Sequence, residues 1–222
     1  MLIPIRDENP TQRVPIVTVG LLLANVSVFV YAKLLGPTGF EVFLASIAVV
    51  PFEITHIVDA ISPTPFPVLL TTVTSMFMHA GWLHIASNML YLWVFANNVE
   101  DVLGRARFLL FYLACGVAAA LAQTLTEPES TIPLVGASGA VAGALGGYLV
   151  AFPGAYVHVF VPIFFLFRIP AVLVLILWFG LQLLWAWLDE GGAGGTAWYA
   201  HIGGFVVGYV VMRHRVSRIR VI

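Results

Sequence analysis

The stretch that decides the fold class is residues 169–188, IPAVLVLILWFGLQLLWAWL, which holds twenty residues and no charged side chain. A helix needs about 20 mostly apolar residues to cross the hydrocarbon core of a bilayer. Four further stretches meet or nearly meet this length, namely residues 14–35, 82–99, 107–126 and 198–212. The glycine-rich stretch 136–152 is shorter but also uncharged. The sequence therefore predicts six transmembrane helices.

The composition of the 222-residue chain supports a membrane protein. Hydrophobic residues make up 60% and charged residues only 9%, whereas soluble domains carry about 25% charged residues. These values and a mean hydropathy of +0.98 exclude a soluble globular fold. Cys115 is the only cysteine, so a disulfide scaffold is excluded. The apolar composition predicts that the lipid bilayer surrounds the protein. Because the net charge is −1 and the only basic run is at the C-terminus, we expect no nucleic-acid partner.

The distribution of positive charge predicts the topology. With six spans and the N-terminus in the cytoplasm, nine of the ten basic residues lie on the cytoplasmic side, and Lys33 is the exception. We therefore expect both termini to be cytoplasmic, with a short tail at 1–13, a membrane domain at 14–212 and a basic tail at 213–222. A seventh span at 156–167 would be short, interrupted by Pro162, and would place the basic tail outside. The region 36–78 is broken by prolines and acidic residues, which favours an interfacial or re-entrant segment.

Four polar residues fall near the starts of the second, fourth and sixth predicted spans, which all enter from the outer face: His84, Asn88, Ser138 and His201. Polar groups at membrane depth are costly and mark functional sites by default. A serine beside a histidine forms a nucleophile and a general base once the two come within about 3 Å. Glycines on both helices would permit this approach. The alternatives are a small-residue packing stripe around Ser138 and a structural histidine at 201.

His84 and Asn88 are four residues apart and therefore share one helix face. Both can donate hydrogen bonds, which suits an oxyanion site, although such a pair can also hold two helices together. His79 precedes the span and is expected to support the loop. A zinc site from the three histidines 79, 84 and 201 would lack any carboxylate or thiolate cluster, and no His-Glu-x-x-His motif is present. We predict no metal and no cofactor.

Three separated motifs, at 79–88, at 136–139 and at 200–208, resemble the rhomboid family of intramembrane serine proteases. The resemblance covers nearly the whole chain. It implies an all-α membrane protein, a six-transmembrane-helix rhomboid-like bundle, with a Ser138/His201 dyad. It also implies His84 and Asn88 as oxyanion donors assisted by the Ser138 backbone amide. Gly136, Gly139, Gly204 and His79 would shape the site.

The chain departs from the family one turn after the nucleophile. Many members carry a tyrosine there whose ring stacks on the catalytic imidazole, but this chain has Ala142. Another group must therefore orient the histidine, and Trp198, Trp82 and Phe77 are the aromatic candidates.

The resulting hypothesis is an endopeptidase that cleaves transmembrane or membrane-proximal segments of membrane proteins near the outer face of the plasma (inner) membrane. The alternatives are a non-catalytic rhomboid-like factor that binds membrane proteins for quality control, and a small transporter that uses the histidines as proton relays. The loop 189–196 contains four glycines. It is either a mobile cap over the site or a plain connector.

Overall fold

The computed structural model describes residues 3–61, 63–161, 165–188 and 197–219, and most of these residues are helical. Ten α-helices occur in this described part of the chain: α1 Ile16–Leu34, α2 Gly36–Ile47, α3 Pro51–His56, α4 Thr71–Thr74, α5 Trp82–Tyr91, α6 Asn97–Leu103, α7 Arg105–Thr126, α8 Ser138–Ala151, α9 Ala171–Leu188 and α10 Trp198–Ile219. Tight 3₁₀ turns flank α4, and a π-helical turn, Leu92–Ala96, joins α5 to α6. The loop 189–196 lies outside the described residues.

Helices occur at all six segments that the sequence predicts as spans, but they differ in length and hydropathy. Three helices of the described part, α1, α7 and α9, are long and apolar enough to cross a membrane. A fourth span results if Val68–Phe77 and Trp82–Leu103, which meet at a bend of 83°, count as one. The helix α8 has only 14 residues. The chain is thus a mostly helical, multi-pass membrane protein.

A small sheet accompanies the helices. Strands β1 Ile3–Asp7, β2 Tyr156–Val161 and β3 Phe165–Pro170 form an antiparallel sheet in the order β1-β2-β3. The segments 156–161 and 165–170 are therefore paired strands and not part of a seventh span, and part of the predicted N-terminal tail is the third strand of the sheet. Alternating β-branched residues explain the hairpin, since Val157 and Val159 are fully buried on one face.

The region 36–78 forms short helices and turns, none of which is a candidate span by itself. Its chain pairs with the segment that leads into α8, because Val49 and Leu134 exchange backbone hydrogen bonds of 3.0 and 2.7 Å. This pairing fixes the approach of the chain to Ser138.

The centre of the protein is α8, which is buried from Gly139 to Tyr148. It packs parallel to α10 through glycines. A Cβ atom added to Gly204 would overlap the carbonyl oxygen of Gly139, and one added to Gly208 would overlap that of Gly143. Helix axes ordinarily lie 8–10 Å apart. Only glycine allows these two backbones to approach so closely, and the parallel arrangement brings both helix N-termini together.

Candidate active site

The N-termini of α8 and α10 bring Ser138 and His201 into contact. Ser138 is the first residue of α8, and His201 lies in the first turn of α10. The Ser138 Oγ to His201 Nε2 distance is 2.8 Å, which is a normal hydrogen-bond length. The pair predicted from two motifs 63 residues apart is thus in the geometry that proton transfer requires.

Gln182 on α9 holds the other side of the imidazole. Its Oε1 lies 2.7 Å from His201 Nδ1, and its Nε2 donates to the Trp178 carbonyl at 3.4 Å. Because the amide presents its oxygen, Nδ1 of the ring is the nitrogen that carries the hydrogen and donates it. The Nε2 atom is then free to accept the hydrogen bond of the Ser138 hydroxyl. This is the tautomer that a general base needs.

Two tryptophans complete the surroundings of the imidazole. The Trp198 ring meets the His201 ring edge-on with centroids 6.2 Å apart, and the Trp178 ring lies at 6.1 Å with its plane tilted by 36°. Of the three aromatic candidates from the sequence, Trp198 is the one in ring contact with His201. Trp82 instead packs edge-on against Phe29 at 4.9 Å. Phe77 packs against the main core cluster.

His84 and Asn88 of α5 converge on Gly136, two residues before the serine. Gly136 has a φ of +129°, and an added Cβ would lie 2.8 Å from His84 Nε2 and 3.7 Å from Asn88 Nδ2. Both the backbone angle and the space therefore require glycine. Its amide donates to the Ser75 carbonyl at 2.9 Å, which anchors the approach to the site.

The two α5 side chains present hydrogen-bond donors to this space. Asn88 Nδ2 is buried and has no hydrogen-bond partner within the described parts of the chain. The Ala80 amide donates to His84 Nδ1 over a long 3.5 Å. Nε2 of His84, the nitrogen that faces Gly136, is therefore the protonated one. A buried donor without a partner, such as Asn88 Nδ2, is rare in folded proteins. It lies with His84 Nε2 where an acceptor on a substrate could meet both.

The remaining predicted site residues pack against the helices and side chains that form the site. His79 is fully buried and its ring packs edge-on against the His84 ring at 5.0 Å. A Cβ on Gly139 would overlap the side chain of Ala119 on α7. Gly139 and Gly204 therefore set the distances between helices, and His79 supports His84.

The site opens into a cavity of about 850 Å³. Ser138, His201, His84 and Asn88 line it, and apolar side chains of α8 and α9 form its walls: Val141, Leu145, Val174, Leu177 and Leu181. Among the residues that the structure describes, no three His, Cys, Asp or Glu side chains converge as metal ligands do.

Two contacts escaped the sequence reasoning. The role of Gln182 was missed, although a lone amide in an uncharged stretch of twenty residues was its signal. The second is Glu100, whose side chain is buried near the end of α6. Its carboxylate accepts hydrogen bonds from the Val17 amide and from the amide and hydroxyl of Thr18, at 2.7–3.0 Å. Glu100 thus caps the start of α1.

Comparison with known proteins places these motifs in a family. The model of the family described as the rhomboid domain matches residues 68–218. Rhomboid protease GluP of Bacillus subtilis is 42% identical over 77 residues, which are 35% of this chain and 15% of that protein. Rhomboid-like protein 11, chloroplastic, of Arabidopsis thaliana is 42% identical over 78 residues, which are 35% of this chain and 28% of that protein. Rhomboid protein 1, mitochondrial, of Saccharomyces cerevisiae is 30% identical over 146 residues, which are 63% of this chain and 40% of that protein. The chain thus spans 40% or less of the length of these relatives.

Proposed function

Since the chain belongs to the rhomboid family, we propose that it is an intramembrane serine endopeptidase that cleaves transmembrane or membrane-proximal segments of other membrane proteins. The observation that carries the proposal is the chain of hydrogen bonds from Gln182 through His201 to Ser138. It combines a nucleophile, a base in the correct tautomer and a group that orients the base.

In this mechanism the Ser138 hydroxyl attacks the scissile carbonyl carbon and His201 Nε2 takes its proton. The imidazolium that forms donates its Nδ1 hydrogen to Gln182, and it later protonates the leaving amine. Water then attacks the acyl-enzyme, with His201 again as the base. A substrate helix must unwind locally first, because a helical carbonyl is shielded by its own hydrogen bond.

The tetrahedral intermediates place negative charge on the former carbonyl oxygen. The unpaired Asn88 amide and the His84 Nε2 hydrogen are aimed beside Gly136, next to the nucleophile. We assign both as oxyanion donors, with the Ser138 backbone amide as a third. The loss of one such donor from a soluble hydrolase costs about 10²–10³ in rate.

We further propose that the six segments all cross the membrane and that both termini are cytoplasmic. Charge supports this topology, because Arg105 and Arg107 begin α7 while Arg213 and Arg215 end α10, and these two helices run antiparallel. The site at the opposite end of α10 then opens to the outer face. Relatives named as mitochondrial and chloroplastic do not single out the plasma membrane expected from the sequence.

Reconstitution tests the proposal. The protein is placed in liposomes with a transmembrane substrate helix that carries a different label at each end. Wild type should produce two fragments, whereas Ser138→Ala and His201→Ala should produce none at unchanged melting temperature. A non-catalytic binding protein would co-purify with intact substrate, and a proton-relay transporter would acidify the liposomes without cleavage. Either result, or cleavage by purified Ser138→Ala, contradicts the assignment.

A further inference from the structure

A second cavity, separate from the active site, lies between α7 and α10. It has a volume of about 490 Å³. Its walls are apolar, formed by Leu110 and Ala114 of α7 with Val207 and Val211 of α10. From Arg107 to Cys115 it follows eight residues of α7, or about 12 Å at 1.5 Å per residue. The shape is a narrow apolar groove along two helices.

One end of this groove is basic. Arg107 near the start of α7 and His214 and Arg215 near the end of α10 line it there. Arg215 lies 14 residues after His201, about 21 Å further along α10, so this end is distant from the Ser138 hydroxyl. It belongs to the membrane side on which positive charges collect, the cytoplasmic one in the topology proposed above.

In the part of the chain that the structure describes, the positive charges at this end lack an acidic partner. Within the described residues, neither Arg107 nor Arg215 forms a salt bridge with a carboxylate. The Nε atom of Arg215 is buried and has no hydrogen-bond partner. A buried guanidinium donor without a partner is costly. An anion in the groove would pair with the charge of this guanidinium, which lines it.

We propose that this groove binds an anionic phospholipid of the cytoplasmic leaflet. The phosphate lies between Arg107 and Arg215, and one acyl chain follows the apolar walls toward Cys115. A free phosphate would pair with the two arginines but would not contact the apolar walls. Basic pockets between transmembrane helices on the cytoplasmic side are typical sites for such headgroups.

The far end of the groove connects to the packing that brings Ser138 and His201 together. Cys115 lies against Gly143 of α8, where an added Cβ would overlap its side chain, and Gly143 in turn touches Gly208 of α10. A lipid that fills the groove therefore fixes α7 against α10 beside the α8 contact. We expect it to raise the melting temperature of the whole bundle.

The test is a lipid titration of the purified protein in maltoside micelles, read by melting temperature and by native mass spectrometry, so that it does not depend on proteolysis. Phosphatidylglycerol should raise the melting temperature and form a one-to-one complex. Phosphatidylcholine with the same acyl chains and inorganic phosphate should do neither. Arg215→Gln should weaken the apparent affinity for phosphatidylglycerol about tenfold, the effect of one charge-assisted hydrogen bond. Arg107→Gln provides a second variant with the same expectation.

Matched controls separate the groove from general surface charge. Arg213→Gln removes the same charge from the same helix end but at an exposed position outside the groove, so its affinity should equal that of wild type. Ala114→Phe should fill the groove and abolish the response, whereas Ala106→Phe, exposed on α7 outside the groove, should retain it.

Four results would overturn the proposal. Equal stabilisation by phosphatidylcholine would make the site one for acyl chains alone, and equal stabilisation by inorganic phosphate would make it a plain anion site. An equal loss in Arg213→Gln would indicate nonspecific attraction to a basic surface. If wild type forms no phosphatidylglycerol complex but forms a dimer that Ala114→Phe dissociates, the groove is a contact between two copies of the chain.

Discussion

The substitution Gly204→Ala tests whether close helix packing creates the active site. A methyl group at this position overlaps the Gly139 carbonyl oxygen, which is backbone and cannot rotate away. Carbon atoms are in optimal contact at about 3.5–4.0 Å, so α8 and α10 must separate locally by about 1 Å or more. The Ser138–His201 distance of 2.8 Å would then exceed hydrogen-bond length.

The expected cost has two parts. A misplacement of about 1 Å of catalytic groups can lower the rate about 10²-fold. Overpacking a well-packed core costs about 1–3 kcal/mol of stability. The matched control is Gly180→Ala on α9, where an added Cβ meets nothing within 4 Å. In that control, replacing a helical glycine should stabilise the protein by up to about 1 kcal/mol.

The assay is cleavage of a labelled transmembrane substrate in liposomes, with kcat and KM measured well below the melting temperature of each variant. Gly204→Ala should lose kcat with little change in KM, while Gly180→Ala should match wild type. The reasoning is refuted if the two alanine variants are equally active, because the glycine contact would then not set the geometry of the dyad.

The remaining predictions concern the donors, the orienting amide and the sheet. Asn88→Ala and His84→Ala should each lower kcat about 10²–10³-fold and should change KM much less. Unfolding of both variants would instead favour a purely structural role for the pair. Gln182→Ala should lower kcat, whereas Gln182→Glu should restore it and move the acidic limb of the pH–rate profile upward; an unchanged profile would remove the amide from the mechanism. The Arg168 guanidinium, hydrogen-bonded at 2.8 Å, lowers the pKa of Glu8 from its ordinary 4.5 to about 2. A carboxylate with a lowered pKa stabilises the fold above its unfolded pKa and loses that effect as the pH falls. The melting-temperature gap between wild type and Glu8→Gln should therefore close as the pH falls from 5 toward 2; a gap that stays the same over this range would contradict the ion pair.

The candidate site residues could be selected from the sequence because they lie in short motifs with helical spacing. Ser138 lies between Gly136 and Gly139, and His201 is followed by Gly203 and Gly204. The closeness of the two helices follows from these small residues on both. The departure at Ala142 led us to expect a different support for the imidazole, and Gln182 hydrogen-bonds the ring. Its identity could not be predicted, because Gln182 reaches His201 from another helix and hydropathy does not encode which faces of two helices meet.

The sheet was harder to predict for a related reason. Strand β1 pairs with β2 across more than 150 residues, Ile3 opposite Phe160, and such pairing leaves no local signal in a short polar segment. Helix α8, in contrast, has 14 residues within the predicted stretch 136–152, and neighbouring helices bury most of it.

The central claim is that His201 activates Ser138 as a nucleophile inside the membrane. The most direct measurement is covalent labelling of the protein in lipid nanodiscs with a small fluorophosphonate, followed by mass spectrometry of the modified peptide. We predict a single adduct on Ser138 that disappears in His201→Ala, while the melting temperature stays unchanged. An adduct on another residue, or undiminished labelling of Ser138 in His201→Ala, would contradict the account.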